Sequence, residues 1–165
     1  MIELRNEGRV KLLATDIDGV MTDGGMYFGP NGQAIKRFDV KDGYGLKMLQ
    51  SSGVRVAWIT ADESAITRAR FAALGLDMLR DGVADKAEAL EAVAREMGCE
   101  PEEIVYVGDD LNDLVVAELV GTFVAPADAT AAVKEKAAAV TEQGGGHGAV
   151  REVCEAIIEH NKGHE

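Results

Sequence analysis

Val10-Lys11-Leu12-Leu13-Ala14-Thr15, running directly into Asp16-Ile17-Asp18-Gly19, is the stretch on which the fold of this chain turns. A short apolar run closed by a turn signal is the pattern of a buried strand, and this one ends on two carboxylates. The arrangement recurs downstream. Val54–Thr60 is predicted as a second strand, ending on a hydroxyl, and Ile104–Val107 as a third, ending on Gly108-Asp109-Asp110. Thr122–Ala125 and Ala138–Thr141 are further candidates. Helical patterns lie between them at about Tyr44–Ser51, Ser64–Leu74, Lys86–Met97, Leu111–Val120 and Ala129–Lys136, with a last one at Ala149–His160. Gly53, Gly75, Gly98 and Gly121 sit where helix C-termini accept a residue of positive φ. Strands alternating with helices imply an α/β fold, a parallel sheet with helices on both faces.

One segment breaks the alternation. Gly25–Phe28, then Gly29-Pro30-Asn31-Gly32, then Gln33–Phe38 reads as a β-hairpin inserted at about residues 24–38. It carries Met26, Phe28, Ile35 and Phe38, and two strands alone bury little. The hairpin therefore needs another surface, on its own domain or on another subunit.

Composition narrows the partners. A chain of 165 residues fits one domain over 1–165, with a polar tail at about 158–165. Seventeen basic against 29 acidic residues give a formal charge of −12, which repels nucleic acid and anionic membrane, so neither is expected as a partner. Only Cys99 and Cys154 are present, which argues against a disulfide framework. The N-terminal residues lack the apolar run of a signal peptide, and no stretch is apolar enough to span a membrane. The expected location is the cytoplasm.

In a parallel sheet, ligands collect beyond the carboxyl ends of the strands. If those ends are neighbours, Asp16, Asp18, Asp109 and Asp110 crowd one crevice, where like charges oppose joint ionisation unless a cation is present. Hard oxygen ligands without His or Cys suit Mg²⁺. Asp-x-Asp-Gly alone is a common turn, and Gly-Asp-Asp alone can be a turn leading into a helix cap with Asp113 in the first turn. Both together, each closing an apolar strand, point to chemistry.

Asp16-Ile17-Asp18-Gly19-Val20-Met21-Thr22 resembles the first motif of the haloacid dehalogenase (HAD) phosphatase superfamily. Thr60 resembles its second motif, Lys86 its third, and Gly108-Asp109-Asp110-Leu111-Asn112-Asp113 its fourth, in the family's order. Within the superfamily the chain is similar to the 3-deoxy-D-manno-octulosonate 8-phosphate phosphatases from about Val10 to about Ile158. The shared features are the hairpin, Asp39-Val40-Lys41-Asp42-Gly43-Tyr44-Gly45 and Gly145-Gly146-His147-Gly148-Ala149-Val150-Arg151-Glu152. The resemblance implies a Rossmann-like HAD domain without a separate cap, a homotetramer built through the hairpins, and a role in lipopolysaccharide biosynthesis.

The resemblance also implies roles. Asp16 is the nucleophile that forms an aspartyl-phosphate, and Asp18 the acid and base. Thr60 and Lys86 hold the phosphoryl oxygens. Mg²⁺ is bound by Asp16, the main-chain carbonyl of Asp18, and Asp109, while Asp110 and Asp113 orient waters and Lys86 from behind. Lys41, Asp42, Gly43, Lys47, Arg70 and Arg151 fall at substrate-contact positions, and Arg151 could reach a neighbouring subunit's site. Lys47 and Arg70 can equally be a solvated helix face, and Arg151 a charge paired with Glu152 or Glu155. Gly144–Gly146 can be a lid or simply a loop.

One departure bears on the substrate. The octulosonate phosphatases usually read Ile-Thr-Gly-Arg where this chain has Ile59-Thr60-Ala61-Asp62. A carboxylate in place of a guanidinium reverses the local charge and raises the related 2-keto-3-deoxynonulosonate 9-phosphate phosphatases as an alternative. Other readings are a non-catalytic HAD-fold partner of a sugar cytidylyltransferase, and a phosphotransferase or mutase. Against the first stands the presence of both nucleophile and acid, and against the second the lack of room for a cap.

Overall fold

The computed structural model describes residues 2–164, so Met1 and Glu165, the ends of the expected domain and tail, lie outside the described residues. Six strands form one sheet: β1 (Leu12–Thr15), β4 (Arg55–Ile59), β5 (Met78–Arg80), β6 (Ile104–Val107), β7 (Thr122–Ala125) and β8 (Ala139–Val140). Their order is β5-β4-β1-β6-β7-β8, and every neighbouring pair runs parallel. The chain builds outward from β1 in one direction and then from β6 in the other. Between β1 and β6 lies the switch point, where the crevice of such a sheet opens.

Period-two alternation assigns the strand residues to two cores. Leu13, Val56, Trp58, Val105 and Val107 pack on one face with Leu46 and Leu49 of α1 (Val40–Ser51), Leu74 of α2 (Ala65–Leu74), and Val153 and Ile157 of α5 (Ala149–Lys162). Leu12, Ala14, Ala57, Ile59, Ile104 and Tyr106 pack on the other with Leu90, Val93 and Met97 of α3 (Lys86–Met97) and Val133 of α4 (Ala131–Lys136). Both faces are covered, which is why the strands read as continuous apolar runs. A fully buried side chain such as Leu49 contributes about 1.5–3 kcal/mol, so these two layers dominate the stability of the fold.

The elements differ from the sequence reading in four places. α1 begins at Val40, capped by Asp39, whose side chain accepts from the Lys41 N–H at 2.7 Å. Leu111–Val116 is a 3₁₀ turn in place of the expected helix, and β5 is an additional edge strand. α5 continues to Lys162, because Asn161 is needed: its amide exchanges 2.8 Å hydrogen bonds with both Val10 N–H and C=O. Gly53, Gly75 and Gly98 do take positive φ, but Gly121 does not. Gly121 is required by space instead, since a Cβ there would lie 2.2 Å from the Asn6 amide.

The hairpin is present as β2 (Tyr27–Gly29) and β3 (Gly32–Ile35), antiparallel, with Pro30-Asn31 at the turn. Met26, Phe28 and Ile35 are 65%, 68% and 57% exposed, so three of its four apolar side chains find little cover among the described residues. Phe38 does: its ring stacks on Trp58 at 6.1 Å and anchors the hairpin's exit. Among the described residues, no helix is long and apolar enough to cross a membrane.

Candidate active site

The loop after β1 turns back on itself, its backbone tied by Val20, Met21 and Thr22 N–H groups donating to the Ile17 carbonyl. That turn leaves Asp16 at the strand end, with one oxygen accepting from Ile17 N–H at 2.7 Å. The other oxygen lies 2.8 Å from Lys86 Nζ. Lys86 opens α3, a poor position for a cation beside the helix dipole, yet its side chain is only 3% exposed. The compensation is local. Its ammonium sits between Asp16 and Asp113, at 2.6 Å from the latter.

Asp113 is wholly buried and saturated. One oxygen accepts from Lys86 and from the Tyr106 hydroxyl at 2.9 Å, the other from the N–H groups of Asp109 and Asp110 at 3.0 and 3.3 Å. This explains the tight 3₁₀ turn: Asp113 must fold back over the loop it organises. Asp109 then projects toward Asp16. Carboxylate oxygens of Asp16, Asp109 and Asp113 all lie within 4.8 Å of one another.

Such crowding shows in the acidities. Burial, then the Asp113 carboxylate, raises the Asp16 carboxyl to about 6, although Lys86 opposes the shift. Burial, then Asp16, Asp113 and Asp110, raises Asp109 to about 7. Burial disfavours the Lys86 charge most, yet Asp16 and Asp113 together hold its pKa above the ordinary lysine value. A divalent cation would relieve the strain between the carboxylates.

The residues fit such an ion. Asp109 Oδ1 is buried without a hydrogen-bond partner, the kind of atom that calls for an unseen ligand. Asp113 has no oxygen to spare, which leaves Asp16 and Asp109 as the side-chain ligands. The oxygen-only set matches Mg²⁺ better than zinc. Gly19, at φ +85°, keeps the approach open, because a Cβ there would lie 2.0 Å from Asp109 Oδ2.

Asp16, Asp18, Thr60, Asp62, Asp109 and Asp110 line one cavity of about 200 Å³ at the strand ends. Thr60 is buried, its hydroxyl accepting from Asp62 N–H at 3.2 Å. Asp18 turns to Lys36, a residue that no sequence motif singled out. Lys36 lies just beyond β3, with its side chain 1% exposed. Its Nζ reaches Asp18 at 3.0 Å, Asp62 at 2.7 Å and Thr67 Oγ1 at 3.3 Å. Asp62, the departure noted above, is therefore one half of a half-buried ion pair.

The expected substrate contacts do not line this cavity. Lys41 and Arg151 line a separate cavity of about 450 Å³ with His147 and Glu142. Asp42 is fully buried and accepts from the N–H groups of Gly148 and Arg151, tying α1 to α5. Gly43 is buried under Arg70, whose guanidinium lies 5.8 Å from the Phe38 ring centroid. Lys47 is exposed on α1, and Arg151 pairs with Glu155 at 2.6 Å while covering the Tyr44 ring. Gly144–Gly146 packs on the Asp16 loop: Gly146 N–H donates to Val20 C=O at 3.0 Å, and a Cβ on Gly145 would lie 1.9 Å from Gly19 O. It braces the site.

The haloacid dehalogenase-like hydrolase family profile matches residues 75–153. The 3-deoxy-D-manno-octulosonate 8-phosphate phosphatase of Yersinia pestis is 41% identical over 155 residues, 94% of this chain and 83% of that protein. The cobalt-bound deoxy-D-mannose-octulosonate 8-phosphate phosphatase of Haemophilus influenzae superposes with a TM-score of 0.91 at 38% identity, over 93% of this chain and 90% of that one. The 3-deoxy-D-manno-octulosonate 8-phosphate phosphatase of Moraxella catarrhalis, solved with a magnesium ion, a phosphate ion and a KDO molecule, superposes with a TM-score of 0.89 at 35% identity, over 93% and 88%.

Proposed function

The chain belongs to the 3-deoxy-D-manno-octulosonate 8-phosphate phosphatase family of haloacid dehalogenase-like hydrolases, and from that premise we propose that it hydrolyses 3-deoxy-D-manno-octulosonate 8-phosphate through an aspartyl-phosphate. The observation that carries this reading is the meeting of Asp16 and Asp109, from the ends of β1 and β6, within 4.8 Å beside a buried lysine. A binding module has no use for that arrangement.

An Asp16 oxygen attacks phosphorus, the new O–P bond forms, and the bond from phosphorus to the sugar oxygen breaks. Asp18 gives its proton to the departing oxygen. It then takes one from the water that attacks the aspartyl-phosphate, releasing phosphate and restoring Asp16. Thr60 and Lys86 hold the non-bridging oxygens where charge develops. Asp110 and Asp113 keep Lys86 and the Asp109 loop in place. Asp16, Asp109 and the main-chain carbonyl of Asp18 would hold a Mg²⁺ ion, which would supply charge neutralisation for an anionic substrate.

The exposed hairpin supports a homotetramer, and in such an assembly Lys41 and Lys47 would face a neighbouring subunit's site, as would Arg151 on leaving Glu155. Asp42 and Gly43 contribute by ordering the backbone at the start of α1, and Arg70 by its place against the hairpin's exit. Two free, buried cysteines accord with a cytoplasmic enzyme. Asp62 keeps the nine-carbon 2-keto-3-deoxynonulosonate 9-phosphate as a second substrate reading, because it removes a cation from the mouth of the site. Phosphate release from both sugar phosphates, with Mg²⁺, tests the proposal: the eight-carbon substrate is expected to be faster, and Asp16→Asn to lose nearly all turnover. Undiminished turnover in Asp16→Asn would overturn the covalent mechanism, and a large nine-carbon preference would overturn the substrate.

A further inference from the structure

Lys36 is the one buried cation at the site that the mechanism above leaves without a task. An ammonium has three donors, and Lys36 faces three acceptors: Asp18, Asp62 and Thr67. No donor remains for a substrate oxygen. Both oxygens of Asp18 lie within 3.1 Å of the ammonium. The Asp18 side chain is itself 43% exposed, so without this grip it has several rotamers open to it. Asp62 takes the shorter ion pair, which shares the ammonium's charge, so that Asp18 receives orientation more than an isolated positive charge. The backbone of Lys36 is fixed on one side by β3 and on the other by Phe38 stacked on Trp58.

We propose that Lys36 is a positioning residue for the reaction, held by Asp62 and Thr67 so that it fixes the Asp18 carboxyl where it can protonate the departing oxygen. The proposal rests on the reading of Asp18 as the acid. Asp62 is thereby part of the catalytic support, and the hairpin that delivers Lys36 contributes to the chemistry as well as to any assembly.

The test uses the Mg²⁺-loaded full chain and a series of substituted phenyl phosphates, from p-nitrophenyl to unsubstituted phenyl, none of which carries a sugar or a carboxylate. A positioned acid matters most for the poorest leaving group, where general acid catalysis is worth about 10²–10⁴-fold. Lys36→Met is expected to lower kcat/KM for phenyl phosphate about 100-fold and for p-nitrophenyl phosphate less than about threefold. Should Lys36→Met fold poorly, Asp62→Asn is expected to give the same steepening at about a tenfold loss. Equal losses across the series, or none, would overturn the proposal, as would a Lys36→Met effect confined to KM for the sugar phosphate. Asp18→Asn separates the levels. If it steepens the series while Lys36→Met does not, the positioning proposal alone fails. If Asp18→Asn leaves the slope unchanged, the acid role fails and the proposal with it.

Discussion

Gly19→Ala is the substitution whose effect the geometry fixes most closely. The added Cβ would stand 2.0 Å from Asp109 Oδ2 and 2.6 Å from its Cγ, where real contacts essentially never fall under 3.0 Å. The carboxylate must therefore retreat by about 1 Å, a misplacement of the size that costs about 10²-fold in rate. The left-handed backbone at φ +85° adds only about 1–2 kcal/mol of folding cost. Gly53→Ala supplies the control, since Gly53 has φ +87° with nothing within 4 Å of the new carbon. Both variants should lose similar stability in urea melts. Only Gly19→Ala should weaken Mg²⁺ binding in calorimetric titration and lower turnover by about 100-fold. If Gly19→Ala binds Mg²⁺ and turns over like Gly53→Ala, Asp109 is not the ligand that the argument requires.

Other outcomes follow from the same network. Lys86→Met leaves the Asp16 and Asp113 carboxylates facing each other without their shared cation, and should cost about 3–5 kcal/mol in urea unfolding; a loss under about 1 kcal/mol would show the pair to be solvated. Asp42→Ala strips the acceptor from Gly148 and Arg151 N–H and should cost about 1–3 kcal/mol while sparing turnover at saturating substrate; unchanged stability would mean that α1 and α5 are joined by apolar contacts alone. In chelator, Asp16 and Asp109 titrate at about 6 and about 7, above their ordinary 3.8. The folded chain then binds more protons than the unfolded one across that interval, so its stability falls as pH rises from about 4 to about 7. Calorimetry should find Tm dropping over that range and Mg²⁺ raising it more at the alkaline end; a flat profile, with equal gains at both ends, would refute the crowding.

The carboxylate cluster was legible because each residue sits at a strand end, where an apolar run breaks into polar residues. β1, β4 and β6 are short apolar runs closed by polar residues, and their carboxyl ends place Asp16, Thr60 and Asp109. The rest of the site is non-local or disguised in the sequence. Lys36 reads as one more polar residue of a hairpin ladder, and its partners are 18, 26 and 31 residues away. The start of α1 was hidden by Gly43 and Gly45, residues that discourage a helix; they are there because a Cβ would meet Arg70 at 2.6 Å and Arg151 at 2.9 Å. β5 has only three half-buried residues at the sheet edge, too few to show alternation. The segment after Asp110 has helical composition, but Asp113 is drawn inward by Lys86 and Tyr106, and the turn tightens to bonds three residues apart. The substrate contacts were the least legible, since basic residues on helix faces look the same whether or not a ligand meets them.

A crystal structure of the protein soaked with Mg²⁺ and a phosphate mimic tests the central claim most directly. The account predicts one ion bridging Asp16, Asp109 and the main-chain carbonyl of Asp18, with an Asp16 oxygen about 3–3.5 Å from the phosphorus position. An ion seated without Asp109, or a phosphate mimic that faces Lys86 while Asp16 points away, would contradict it.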